Sequence, residues 1–135
     1  MRSLLFITAI ILTGTQPLLA QPQAKIIYPV AVSFNSMCCG VPSDSVIRSF
    51  IISFKKKYKI KKITAYHIGP MGREGEYDLA FKLTELGKKN AGYFISKMKK
   101  LKPLKSDKGS FTVIEKFEVD SQAIPKRAST TEIVF

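Results

Sequence analysis

The 135-residue chain has only two cysteines, one histidine and no tryptophan. So few cysteines exclude a small disulfide-framed scaffold, which needs several well-separated bridges. The two are moreover adjacent, Cys38 and Cys39, so a bond between them closes no useful chain loop. A single histidine, His67, excludes a centre built from several imidazoles. Acidic residues are also scarce, ten against 22 lysines and arginines, giving a formal net charge of +12. Arginine contributes little of this, only Arg2, Arg48, Arg73 and Arg127. Lysine is a point charge without the planar fork that reads phosphates and base edges bidentately. Together with the missing tryptophan, this argues against nucleic acid as the partner.

Long apolar runs are absent except near the start. Arg2 precedes the run Leu4-Leu5-Phe6-Ile7-Thr8-Ala9-Ile10-Ile11-Leu12, and Pro17-Leu18-Leu19-Ala20 ends in a small residue before Gln21. This is the pattern of a secretory signal peptide over residues 1–20. The run is shorter than the roughly 20 apolar residues of a permanent membrane span. With no cysteine near residue 20, a lipoprotein anchor is not expected. The expectation is a secreted or periplasmic chain, with a single domain over residues 21–135.

Elements of two periodicities alternate along that domain. Residues 25–35 read as a strand with Val30, Val32 and Phe34 on one face and an irregular start at Pro29. After the loop Met37-Cys38-Cys39-Gly40-Val41-Pro42, Ser43 is a candidate helix cap and Asp44 suits the first turn. Val46, Ile47, Phe50, Ile51, Phe54 and Tyr58 then follow at helical spacing. Residues 60–68 read as a second strand, and the glycine-rich stretch 69–75 as a turn. Tyr77, Leu79, Phe81 and Leu83 alternate as a third strand, with Asp78 and Lys82 on its other face. Thr84 is a candidate cap for a second helix carrying Leu86, Ala91, Phe94, Ile95, Met98 and Leu101, ending before Pro103. Phe111, Val113, Phe117 and Val119 alternate as a fourth strand, and residues 130–135 suit a short edge strand or a trailing end. Phe50 and Phe81, central in their stripes, are expected to meet across the helix–sheet layer.

This order, β-α-β-β-α-β, is that of the α+β ferredoxin-like split-βαβ sandwich, two helices on one face of an antiparallel sheet. Strand one is then central and strand two an edge. The loop after strand one, the turn 69–75 and the loop 102–109 share one rim. Met37, Cys38 and Cys39 are soft ligands there, suited to an ion such as Cu(I). A helix beginning near Ser43 is expected to lower a nearby thiol's pKa. The stretch Met37-Cys38-Cys39 resembles, in place, the metal loop of heavy-metal-associated domains. Those domains share this topology and carry Met-x-Cys-x-x-Cys, whereas here the two-residue spacer is missing. His67, near the same rim, is a further candidate ligand. Burial of one cysteine, or oxidation to an intermolecular disulfide or a vicinal ring, is the competing explanation, and one thiol is expected buried and one accessible.

Catalytic patterns are poor. Cys38 or Cys39 with His67 makes a nucleophile and base on paper, without a third group to orient them. Ser43, Asp44 and Ser45 are explained by capping. Arg73 and its glycines suit a turn, or an anion-binding nest. The lysines fall into two groups, Lys55 to Lys62 and Lys97 to Lys108. They read either as a solvated surface or as a field for anions. The expected function is therefore an exported, non-catalytic binding module. Its rim and basic surface would contact a protein or an anionic envelope component, through residues such as Arg73, Lys102 and Lys105. The alternatives are a soft-metal carrier using Met37, Cys38 and Cys39, or a thiol-dependent enzyme or redox protein.

Overall fold

Val30, Ala31 and Val32 follow one another with no solvent exposure, because their strand is paired on both sides and covered on both faces. The computed structural model describes residues 25–103, 107–120 and 129–135, so the expected leader lies outside the described residues. That interior strand is β1 (Ile26–Ser36), followed by helix α1 (Ser45–Tyr58) and strands β2 (Thr64–Gly69) and β3 (Tyr77–Phe81). A 3-10 turn (Thr84–Leu86) leads into helix α2 (Gly87–Met98), then β4 (Gly109–Val119) and β5 (Ser129–Val134). The fold is α+β, with a five-stranded antiparallel sheet ordered β4-β1-β3-β2-β5 and two helices. Pairs such as Val32 with Leu79 and Phe34 with Phe111 align the apolar positions of neighbouring strands.

Both helices press their buried residues onto one side of this sheet. Ile47, Ile51 and Phe54 of α1 and Phe94 and Met98 of α2 form one core with Val30, Val32, Phe34, Leu79, Phe81 and Phe111. Phe94 is the hinge of the packing, with ring centroids 5.1 Å from Phe50, 5.1 Å from Phe54 and 5.5 Å from Phe81. The expected contact of Phe50 with Phe81 is thus replaced by Phe94 touching both rings, and Phe50 itself is only half-buried. Among the described residues no helix is long and apolar enough to cross a membrane.

The other side of the sheet is not the polar face that alternation suggests. Tyr28, Ala31, Ile68, Ala80 and Val119 form a second buried cluster, with Tyr66, Met71 and Phe117 against it. Asp78 is also buried there, at 8% exposure, opposite Ser33. Phe117 and Val119 were expected to continue the face of Phe111 and Val113, but they belong to this second cluster. The pairs Tyr28–Phe117 and Val30–Glu115 bracket Pro29 and Lys116, and Lys116 has φ 51°. That left-handed residue breaks the alternation, so β4 serves one core at its start and the other at its end.

Three local expectations are also corrected. β2 is not an edge, because β5 pairs along it from Thr64–Val134 to Gly69–Ser129. The residue at the cap position of α1 is Asp44 rather than the expected Ser43, and it makes no side-chain cap bond, while Thr84 lies inside the 3-10 turn instead of capping a helix. Asp44 instead pairs with Arg48 at 2.8 Å, and Ser43 Oγ accepts from the Ser45 N–H at 3.2 Å. Glu85 turns back to accept from the Thr64 hydroxyl, tying the 3-10 turn to β2.

Replacing Phe94 by alanine empties the point where three rings meet, and is expected to cost about 3–5 kcal/mol. Lys56→Ala, on an exposed position of α1, should stay within about 0.5 kcal/mol. Urea unfolding of the two variants beside the parent checks the difference.

Candidate functional site

The three loops expected at one rim do converge. The Met37 N–H donates to the Lys108 carbonyl at 2.7 Å, joining the loop after β1 to the approach to β4. The Gly40 N–H donates to Glu74 Oε2 at 3.1 Å, joining it to the β2–β3 turn. Close backbone packing makes the first link. A Cβ on Gly109 would lie 2.0 Å from the Asn35 carbonyl oxygen, so no side chain fits there. Gly40 supplies the turn itself, with φ +100°.

Between those anchors, Cys38 and Cys39 are both exposed, against the expectation that one is buried. Successive side chains of an extended chain point to opposite sides, but here the loop brings both sulfurs to the same place, 2.7 Å apart. The Cys38 thiol also donates to the Asp107 carbonyl at 3.4 Å. Its pKa is raised, first by the hydrogen bond shared with Cys39 and further by the negative potential of Cys39 and Asp107. The expected lowering by the helix start is therefore overridden. α1 begins only at Ser45, and the carboxylate at its mouth, Asp44, is engaged with Arg48.

Met37 is 76% exposed on the same loop. Arg73 is exposed at the tip of the β2–β3 turn and Lys102 beyond the end of α2, while Lys105 lies outside the described residues. His67 is half-buried, its ring stacked on Tyr77 with centroids 4.5 Å apart. Among the described residues, no three of histidine, cysteine, aspartate and glutamate gather where they could hold a metal ion. The nucleophile-and-base pairing of a cysteine with His67 finds no support in this placement.

Tyr77 continues the stack inward to Phe34, at 4.5 Å. Burial, with the charge of Asp44 adding to it and Arg48 opposing it, pushes the Tyr77 phenol up to about 12. Asp78, on the opposite side of the sheet, is also raised by burial, with a hydrogen bond from Ser33 opposing the shift.

A second feature was hidden in the sequence by counting lysines along the chain. Lys57 of α1 and Lys97 and Lys100 at the end of α2 line one groove of about 400 Å³ between the helices. Its other walls are Phe50, Ser53, Phe54, Tyr58 and Leu101. The two lysine groups thus meet around an aromatic floor. The signal was present in the offsets Phe50–Phe54–Lys57, along one face of α1, and Lys97–Lys100–Leu101, spanning the last turn of α2 and the residues just after it.

Between about pH 10 and about 12 the folded chain keeps the Tyr77 proton that the unfolded chain loses. The folded state then binds more protons, so stability falls as pH rises through that window. Tyr77→Phe should flatten this part of the slope, as read from urea midpoints across the alkaline range.

No family model, curated protein or solved structure matches the chain significantly, so its function rests on the geometry above.

Proposed function

We propose that this is a small exported, non-catalytic binding module that takes an anionic amphiphile of the cell envelope in the groove between α1 and α2. The observation that carries this reading is the meeting of Lys57, Lys97 and Lys100 above Phe50, Phe54 and Leu101. An ammonium cluster attracts a phosphate or carboxylate head, and the aromatic floor gains by covering an apolar chain. The volume lies at the small end of the range for ligand sites, about 300–1,000 Å³, which suits one chain end rather than a whole lipid. Export is inferred from the leader pattern of residues 1–20. The strand order β4-β1-β3-β2 supports reading the scaffold as a ferredoxin-like split βαβ, extended by β5.

The test is binding to vesicles of phosphatidylcholine with and without phosphatidylglycerol, read by co-sedimentation. Binding should require the anionic lipid and weaken with salt. Lys57→Glu with Lys100→Glu should weaken it by roughly tenfold or more, since each basic residue near an anionic surface contributes about 1 kcal/mol. Lys88→Glu with Lys89→Glu makes the same charge change at exposed positions outside the groove and should retain most binding. Equal loss in both pairs would reduce the effect to net charge and sink the groove.

One observation favours a second reading, a Cu(I)-type soft-metal carrier. Both cysteine sulfurs are exposed at one point, on a loop that also exposes Met37. Such a carrier should bind one copper per reduced chain, and Cys38→Ser or Cys39→Ser should each remove it. Elemental analysis of anaerobically purified protein decides between carrier and no carrier.

A further inference from the structure

We propose that Cys38 and Cys39 are a redox pair, which closes to a vicinal disulfide by exchange with a small-molecule disulfide. The pair is independent of the groove reading.

Geometry separates this role from metal binding. With thiolate–metal bonds of about 2.3 Å, two sulfurs on one tetrahedral ion stand about 3.8 Å apart, and on a linear one about 4.6 Å. The observed 2.7 Å is well below both. The two sulfurs are already in contact, so a covalent bond between them forms by a small approach, whereas an ion would have to be fitted between them. The surroundings hold them in this relation. The loop is pinned on one side by Met37 to Lys108 and on the other by Gly40 to Glu74, leaving little backbone between the anchors. No other cysteine exists in the chain to compete for either sulfur. Both thiols are exposed, so a soluble disulfide reaches them without unfolding.

The order of attack follows from the hydrogen bonds. Cys38 donates its S–H to the Asp107 carbonyl, which holds that proton in place, and Cys39 is therefore the attacking sulfur. Cys39 gives its proton to water, and its thiolate attacks one sulfur of the small disulfide, expelling the first small thiolate, which takes a proton back from water, and leaving a mixed disulfide on Cys39. Cys38 then releases its proton to water, and its thiolate attacks the Cys39 sulfur and expels the second small thiol. One small disulfide is reduced to two thiols, while the two protein thiols are oxidised to one disulfide. The product is a small ring that includes the peptide bond between residues 38 and 39.

The experiment treats the reduced, purified protein with oxidised glutathione, then alkylates it and analyses the tryptic peptide of residues 26–48, which holds both cysteines and no internal lysine or arginine. In the parent protein that peptide should lose both alkyl labels, become lighter by two hydrogens and carry no glutathione. The single variants lack the resolving thiol and should each retain one glutathione. Cys38→Ser, which keeps the attacking Cys39, should acquire it faster than Cys39→Ser. Because both positions are exposed, circular dichroism should show parent-like folding in each. Four results would overturn the pair: persistent free thiols, glutathione retained on the parent, a disulfide-linked dimer on non-reducing electrophoresis, or a co-purified copper ion that shields both thiols from alkylation.

Discussion

Phe94 stands where the two helices and the sheet must agree. Its ring meets Phe50 and Phe54 on α1 and Phe81 on β3, and it has no exposure of its own. A close-packed contact of this kind tolerates little rotation of either helix, because interiors are packed as densely as molecular crystals. The outer surface inherits that constraint. With Phe94 filling the space beneath, Phe50 is held only half-buried, and its outer edge helps to line the groove bounded by Lys57, Lys97 and Lys100. The positive groove is thus a by-product of how one aromatic ring sets the spacing of two helices.

The rim depends on a different kind of contact, backbone against backbone. Gly109 lets β4 approach β1 so closely that any side chain would strike the Asn35 carbonyl. Just beyond this pair, Met37 is tied to Lys108, and the cysteine loop begins already oriented. Side-chain chemistry at Cys38 and Cys39 is therefore directed by main-chain geometry, while the groove is directed by core packing. The two features share a scaffold but answer to separate constraints.

What the sequence made legible was whatever depends on local periodicity. The alternation from Tyr77 to Phe81, the helical stripe from Ile47 to Tyr58 and the meeting of three loops at a rim all follow from near-neighbour patterns and the order of elements. What escaped were the features set by distant partners. Lys116 takes a left-handed conformation within the pairing of β4 to β1, and nothing in a lysine announces it. Glu85, in the 3-10 turn, accepts from the Thr64 hydroxyl on β2, and no local pattern announces that bond. Burial seemed the natural fate of one cysteine, because residue type carries no information about a loop that turns both sulfurs outward. The groove escaped for a related reason. Its lysines come from helices whose relative placement is fixed by Phe94, and the linear sequence does not display that angle.

The three consecutive unexposed residues of β1, Val30, Ala31 and Val32, bear on motion. Their amides and carbonyls are enclosed by β3 and β4 on the flanks and by apolar clusters on both faces. Local fraying reaches such a segment last, so its amide protons exchange only through openings close to complete unfolding. The cysteine loop leaves the end of this strand. Its two exposed sulfurs are therefore carried by a strand that opens late, and the bond proposed between them would form on a mounting that stays closed.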